Sequence, residues 1–297
     1  MKHSKAIVTM AVGDRYLHAW KESCEANWNE YANRHGYDLI CIDQPLDNSV
    51  RASRRSPSWQ KCLIPGQEFV KNYNQVVWID SDILINIAAA PCICAMVPVD
   101  KVGAVNQWAA PSVGEYAQIL ERLQEYWGDR AIPNATAKQY YANYGLAVEF
   151  DDVVQCGVLV FSPRYHRELF ETTYRDHEEK GGAEWNYEMR PLSYELLRAK
   201  AVSWIDPRFN VTLFDQICLH YPFLINEEPQ LPYVARIGRK LARHLGGLRY
   251  SDVRRSCLNA TMTNSYFLHF GGGSLVEMKL IDLGARSWRQ CMLQRQQ

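Results

Sequence analysis

The chain has no surplus of either charge, since 33 Lys and Arg stand against 33 Asp and Glu in 297 residues. Binding nucleic acid through its phosphates needs a basic surplus, so no nucleic-acid partner is expected. No apolar run is long enough for a membrane span or a secretory leader, because Met1–Lys5 is polar and the run after it is short. No membrane span is therefore expected, and the expected location is cytoplasmic. The nine cysteines lack the paired spacing of a zinc site; Cys92-x-Cys94 is too tight and the others are scattered. An odd count without a leader points to free thiols in a reducing compartment. The Asn-x-Thr sequons at Asn134, Asn210 and Asn259 are then chance occurrences. Internal repeats, low-complexity segments and linkers are also missing. One domain over 1–297 is the simplest expectation at this length.

What is present is an alternation of strand and helix patterns, the mark of βαβ units and a parallel sheet. Lys5–Val12 reads as a strand, Arg15–Arg34 as one amphipathic helix stopped by Gly36, and Asp38–Asp43 as a strand. Asn48–Ser58 reads as a loop. Trp59–Tyr73 reads as a helix kinked by Pro65-Gly66. Val102–Gln107 is a further strand, Val113–Trp127 a helix, and Gly128–Tyr144 an irregular excursion. Val153–Ser162 is a strong strand with Gly157 inside it, where a ligand or another backbone comes close. Pro163 opens a helix to about Glu179. Tyr187–Ala199 reads as a helix interrupted at Pro191, and Val202–Asp206 as a short strand. Thr263–Phe270 reads as extended, with a C-terminal helix from Ser274.

The most informative segment is Gln75–Ile85, Gln-Val-Val-Trp-Ile-Asp-Ser-Asp-Ile-Leu-Ile. Its apolar lead-in reads as a strand buried on both faces. Asp80 and Asp82 stand at its carboxyl end, where open α/β sheets bind ligands. Alternate residues of an extended chain share a side, so both carboxylates can face one hard cation. A bare Asp-x-Asp is more often a solvated turn with a helix cap. The long apolar lead-in and the second run Ile83-Leu84-Ile85 tip the balance here, because buried charge needs a partner.

Five segments in order resemble the nucleotide-sugar-dependent glycosyltransferases of the GT-A fold. They are Ile7–Ala11 with Tyr16; Tyr31-Ala32-x-x-His35-Gly36-Tyr37; Trp59-Gln60-Lys61 with Val77–Asp82; Gln155–Phe161; and Glu188 to Ser193, then Asp206–Asn210 and His269-Phe270-Gly271. The match spans about residues 5–273 and looks closest to the retaining group of glycogenin-like enzymes and galactosyl and xylosyl transferases. The resemblance implies an α/β GT-A (Rossmann-like) fold with a mixed, mostly parallel central sheet flanked by helices. It implies a nucleotide-binding half about 1–110 and an acceptor-side half about 111–297. It departs from the family at Gln155, where Asn is common. It departs again after His269, where no Lys appears until Lys279. The amides of Gly271-Gly272-Gly273 are the candidates to hold phosphate instead.

The activity implied is metal-dependent sugar transfer from a nucleotide-diphosphate sugar, a UDP-sugar by preference, to a glycan or other hydroxyl acceptor, with retention. The leaving diphosphate calls for a cation acting as Lewis acid. Mixed oxygen and imidazole ligands suit Mn²⁺, with Mg²⁺ as the alternative. Asp82 and His269 are assigned as ligands, with Asp80 sharing the cation or binding ribose. Thr9, Ala11 and Tyr16 are the candidates for the base pocket. Lys61, Asp80, Ser81, Gly157, Gly271 and Gly272 are the candidates around the phosphates and sugar. The transfer passes through an oxocarbenium-like state. Gln155, Glu188 and Asp152 are the catalytic candidates, with Asp151 beside them. The 128–144 and 229–252 regions are expected to shape the acceptor side. Two alternatives stay open: a nucleotidyltransferase making sugar nucleotides, disfavoured because Val12–Tyr16 lacks repeated glycines, and an inactive nucleotide-sugar-binding protein. An Asp-x-Asp phosphatase would carry its pair after the first strand, and this chain carries it later.

Overall fold

The structure, a computed structural model, describes residues 3–127, 136–180, 187–225, 250–271 and 274–284. Strands β1 (Lys5–Met10), β2 (Asp38–Ile42), β3 (Gln75–Ile79), β5 (Val102–Asn106), β6 (Val154–Phe161) and β7 (Val202–Trp204) form a six-stranded sheet in the order β2-β1-β3-β6-β5-β7. Only β6 runs against the others, pairing antiparallel with β3 and β5. The sheet is therefore mixed and mostly parallel, and helices cover both faces, as the apolar runs imply. Every residue of β3 and β6 is buried. Val76, Trp78, Leu159 and Phe161 face a layer with Trp59, Phe170 and Leu192. Val77, Ile79, Val158 and Val160 face the opposite layer with Trp28, Tyr31 and Phe267.

A second, three-stranded sheet was not expected. It joins β4 (Ile83–Ile85), β9 (Phe267–His269) and β8 (Val211–Thr212) in the order β4-β9-β8. Its register sets His269 opposite Ile83, directly after the two aspartates. A chain segment near the C-terminus is thereby fixed beside β3. No helix among the described residues is long and apolar enough to cross a membrane.

Several elements differ from their sequence patterns for identifiable reasons. The helix expected over Arg15–Arg34 is two, α1 (Asp14–Ser23) and α2 (Glu25–His35). The break at Cys24 turns its thiol onto the Ile83 carbonyl at 3.3 Å. Gly36 does stop α2, in the left-handed conformation at φ 70°. The stretch expected as a kinked helix begins as 3-10 turns over Pro57–Gly66. Pro65 has no N–H to continue them. The Pro191 interruption is absent: α6 (Met189–Arg198) contains it at the third position, within the first turn, where an N–H needs no helical partner.

The Thr-rich stretch expected as extended from Thr263 is helical to Asn264, the end of α8 (Tyr250–Asn264). The Thr261, Thr263 and Ser265 hydroxyls donate to carbonyls four residues back, so these polar groups are satisfied without a strand partner. Ser274–Leu280 forms 3-10 turns rather than an α-helix. Part of the expected irregular excursion is helix α4 (Ala137–Tyr144), capped by Thr136 and ended by Gly145 at φ 82°. Residues 128–135 and most of the expected 229–252 acceptor region lie outside the described residues. The remaining helices are α3 (Val113–Trp127), α5 (Pro163–Asp176) and α7 (Leu213–His220).

Candidate metal and donor site

Asp80 is the first residue beyond β3. Its N–H donates to the Gly157 carbonyl at 2.8 Å, which prolongs the β3–β6 pairing by one step. The Asp82 carbonyl accepts from the Phe270 N–H at 2.8 Å, tying that residue to the end of β9. Each aspartate is thus anchored through its backbone to a different strand. The two carboxylates and His269 each offer an atom within 4.8 Å of the others. His269 Nε2 lies 3.2 Å from Asp82 Oδ1 and 4.0 Å from Asp80 Oδ2. The Nδ1 of the same ring faces Asn210 Oδ1 at 3.1 Å. That contact holds the proton on Nδ1 and leaves Nε2 as the ligand atom.

Asp80 Oδ1 is already taken by the Trp78 indole N–H at 2.7 Å and by Lys61 Nζ at 3.1 Å. Only Oδ2 stays open towards the cluster. This donor set fits a divalent cation: two carboxylates, one oriented imidazole, and hydrogen bonds behind two of the three. Asp82, His269 and Asp80 Oδ2 would hold it.

Lys61 is not a solvated helix cation. It is 3% exposed, and its ammonium also meets Glu188 Oε1 at 2.7 Å and the Cys156 carbonyl at 3.0 Å. Three contacts use its three protons. Lys61 therefore has no proton left to donate to a ligand, and its charge is felt through space by Asp80, Asp82 and His269. Burial works against the lysine's charge, but Asp80 and Glu188 more than offset it and its pKa is raised. Burial raises Asp80 despite Lys61 and His269. Burial also opposes ionisation of Asp82, yet His269 holds it below the usual carboxylate range. Burial pulls His269 down, but Asp82 and Asp80 prevail and raise it.

The sign of a pH effect follows. A cation needs the Nε2 lone pair, and His269 keeps its proton above the ordinary range near 6.5. Mn²⁺ binding is expected to weaken as pH falls through neutrality, by up to about tenfold per pH unit for one competing proton. Calorimetric titrations at about pH 6 and about pH 8 test this. Equal affinity at both would remove His269 from the ligand set.

Gln155 and Gly157 sit against this cluster. Gln155 Oε1 accepts from the Gly157 N–H at 2.5 Å and from the Asn210 amide. A Cβ on Gly157 would lie 2.7 Å from His269 Cε1 and 3.0 Å from Gln155 Oε1. The glycine in β6 is thus required by a side chain from β9. Gly157→Ala is expected to push the imidazole aside and weaken metal binding roughly 10- to 100-fold, as losing a ligand's orientation does. A titration showing unchanged affinity would contradict that cause.

The other expected residues are dispersed. Asp152 accepts from Asn106 Nδ2 at 2.6 Å at the entrance to β6. Asp151 turns outward to pair with Lys138 at 3.0 Å. Glu188 lies buried against Lys61. Thr9 and Ala11 are wholly buried, and the Thr9 hydroxyl has no hydrogen-bond partner. Of that trio only Tyr16 is open, at 45% exposure, with the Arg15 guanidinium 5.8 Å from its ring centroid. Ser81 offers its carbonyl to the Cys24 thiol at 3.6 Å. Gly271 follows the cluster, a Cβ there lying 3.7 Å from His269 Nε2. Gly272 lies outside the described residues.

Asn210, part of the Asp206–Asn210 segment and of a sequon, is buried and joins His269 to Gln155, a role no sequence pattern signals. Asn259, the next sequon, is buried as well, with its amide on the Arg255 and Leu280 carbonyls. Asp215 was not considered. It stands in the first turn of α7, and burial pushes it up to about 6 against bonds from Gln107 and Thr212 and the charge of His269.

No protein-family model matches the chain, and no curated protein does. Solved structures do resemble it. A glycosyltransferase involved in glycosylation of the major capsid of PBCV-1 matches with a TM-score of 0.50 and 14% identity, over 92% of this chain and 96% of that one. The bifunctional glycosyltransferase WbbM matches at 0.49 and 15%, over 100% of this chain and 52% of its own. The galactosyltransferase LgtC, solved with donor and acceptor sugar analogues, matches at 0.42 and 14%, over 96% and 99%. At such identities the first of these likenesses carries the fold, which is the mixed α/β arrangement expected from the sequence.

Proposed function

We propose that the protein is a metal-dependent glycosyltransferase that moves a sugar from a UDP-sugar to a glycan hydroxyl with retention, in the manner of the glycogenin-like and galactosyl-xylosyl group. The observation that carries this is the Asp80, Asp82 and His269 cluster at the carboxyl edge of β3, with the Gln155 amide beside it. Nucleotide-diphosphate leaving groups need charge neutralisation at that place in the fold. A bound Mn²⁺ supplies Lewis-acid stabilisation of the departing diphosphate.

The chain's own residues do the rest. Asp82 and His269 hold the cation, and Asn210 fixes the ring. Lys61 and Trp78 hold Asp80 so that one oxygen faces inward. Tyr16, exposed beside the end of β1, offers a face on which a base can stack. The Gly271 backbone is our candidate for a phosphate contact. Among the polar groups weighed for the sugar's cationic state, Asp151 faces solvent and Glu188 is neutralised by Lys61. Gln155 is therefore our choice to face the reacting carbon, with Asp152 held by the Asn106 amide.

A donor screen tests the proposal. The protein with Mn²⁺ is incubated with a panel of UDP- and GDP-sugars, with and without EDTA, and nucleotide release is followed. Release from one donor, lost with EDTA, is the expected result. A thermal shift with a donor but no release would instead make this a nucleotide-sugar-binding protein. Neither release nor shift would end the reading.

A further inference from the structure

Asp215 is a carboxylate to which the scheme above gives no work. It takes a hydrogen bond from Gln107 Nε2 at 3.4 Å and another from Thr212. No ion pair to it is formed among the described residues, and the charge of His269 reaches it. A half-buried carboxylate without a close cation carries a desolvation cost, and two donors leave further lone pairs open.

Its place in the sheet gives it a direction. Along the carboxyl edge the strands run β1, β3, β6, β5. Tyr16 follows β1, the aspartates follow β3, Gln155 lies in β6, and Gln107 follows β5. Adjacent strands are about 4.8 Å apart, so each step along this edge is about one sugar hydroxyl's reach. In the glycosyl-transfer reading, base, diphosphate and donor sugar would take the first three positions in order. Gln107 and the carboxylate it braces come next, on the side of the donor sugar away from the nucleotide. Thr212, the other partner of Asp215, pairs in register with His269, which keeps Asp215 at the cluster rather than across the molecule.

We infer that Asp215, braced by Gln107, receives a hydroxyl of the acceptor, and that the acceptor is a neutral polyhydroxylated sugar rather than a phosphate-bearing one. This rests on the glycosyl-transfer reading. A carboxylate at that point accepts hydrogen bonds from adjacent sugar hydroxyls and repels a phosphate monoester.

The test uses the donor found in the screen, with methyl glycosides of galactose, glucose and mannose and with lactose as neutral probes. Glucose 6-phosphate and undecaprenyl phosphate serve as anionic probes. Transfer to a neutral probe is expected. Asp215→Asn, which keeps the shape, should raise the KM for that probe roughly 10- to 100-fold, the worth of a hydrogen bond to a charged group. Gln107→Ala should raise it in the same direction. An unchanged KM with a lowered Tm would show a carboxylate that only caps α7, and the inference would fall. Preferred transfer to a phosphorylated probe would overturn the acceptor class. If the unaltered protein releases no nucleotide from any donor, the glycosyl-transfer reading itself fails, which is a separate result.

Discussion

Asp82→Ala is expected to lower donor turnover on the order of a thousandfold at saturating Mn²⁺, the scale of several kcal/mol of lost transition-state stabilisation. The Asp82 carboxylate, a proposed ligand, lies 3.2 Å from His269 Nε2 and within reach of Asp80. Its removal would deprive a bound cation of one of the three proposed ligands. It also takes away the charge that keeps the His269 pKa raised. The fold itself should survive, because residue 82 is anchored by its backbone carbonyl to Phe270 rather than by its carboxylate. Nucleotide release and Mn²⁺ titration on the same sample separate the two effects. Turnover within tenfold of the unaltered protein, with metal binding intact, would remove Asp82 from the site.

Lys61→Met is expected to have the largest effect on stability. The ammonium is 3% exposed, and its partner Glu188 has a side chain only 5% exposed. Methionine fills similar volume but leaves Glu188 as an uncompensated buried charge, and Asp80 loses its cation 3.1 Å away. Breaking a buried pair by removing one member costs about 3–5 kcal/mol, or roughly 10 °C in Tm for a chain of this size. The loss should shrink as pH falls, because protonating the stranded carboxylates relieves it. Glu188→Gln in the Lys61→Met background should recover part of the loss, since two neutral groups replace one buried charge. Thermal melts of the two single variants and the double variant measure the coupling. A Lys61→Met protein that melts with the unaltered one would mean that the pair is not formed.

Much of this site was legible along the chain. The β-branched and aromatic run ending at Asp80 could only be a strand buried on both faces, and it is. A strand end of that kind in a mostly parallel sheet points its last residues at a ligand. Gly36 announced a helix stop, and that holds; at Gly157 the close approach is made by the His269 side chain rather than by a backbone. Some local patterns failed for reasons that are themselves local. Thr and Ser suggested a strand near residue 263, yet their hydroxyls are satisfied along a helix. Pro191 suggested a break, and its position in the first turn makes it harmless.

The sequence by itself determined the main strands of the central sheet and the carboxylate pair at its edge, because these depend on side-chain periodicity and short spacing. Tertiary structure alone decided which way Lys61 faces, that Asn210 braces His269, and that Gln107 bonds Asp215. Those facts depend on contacts between residues far apart in the chain, such as β9 pairing with β4 and α6 closing over Lys61. A polar residue's role is set by what burial leaves it to bond, and burial is a property of the packed molecule.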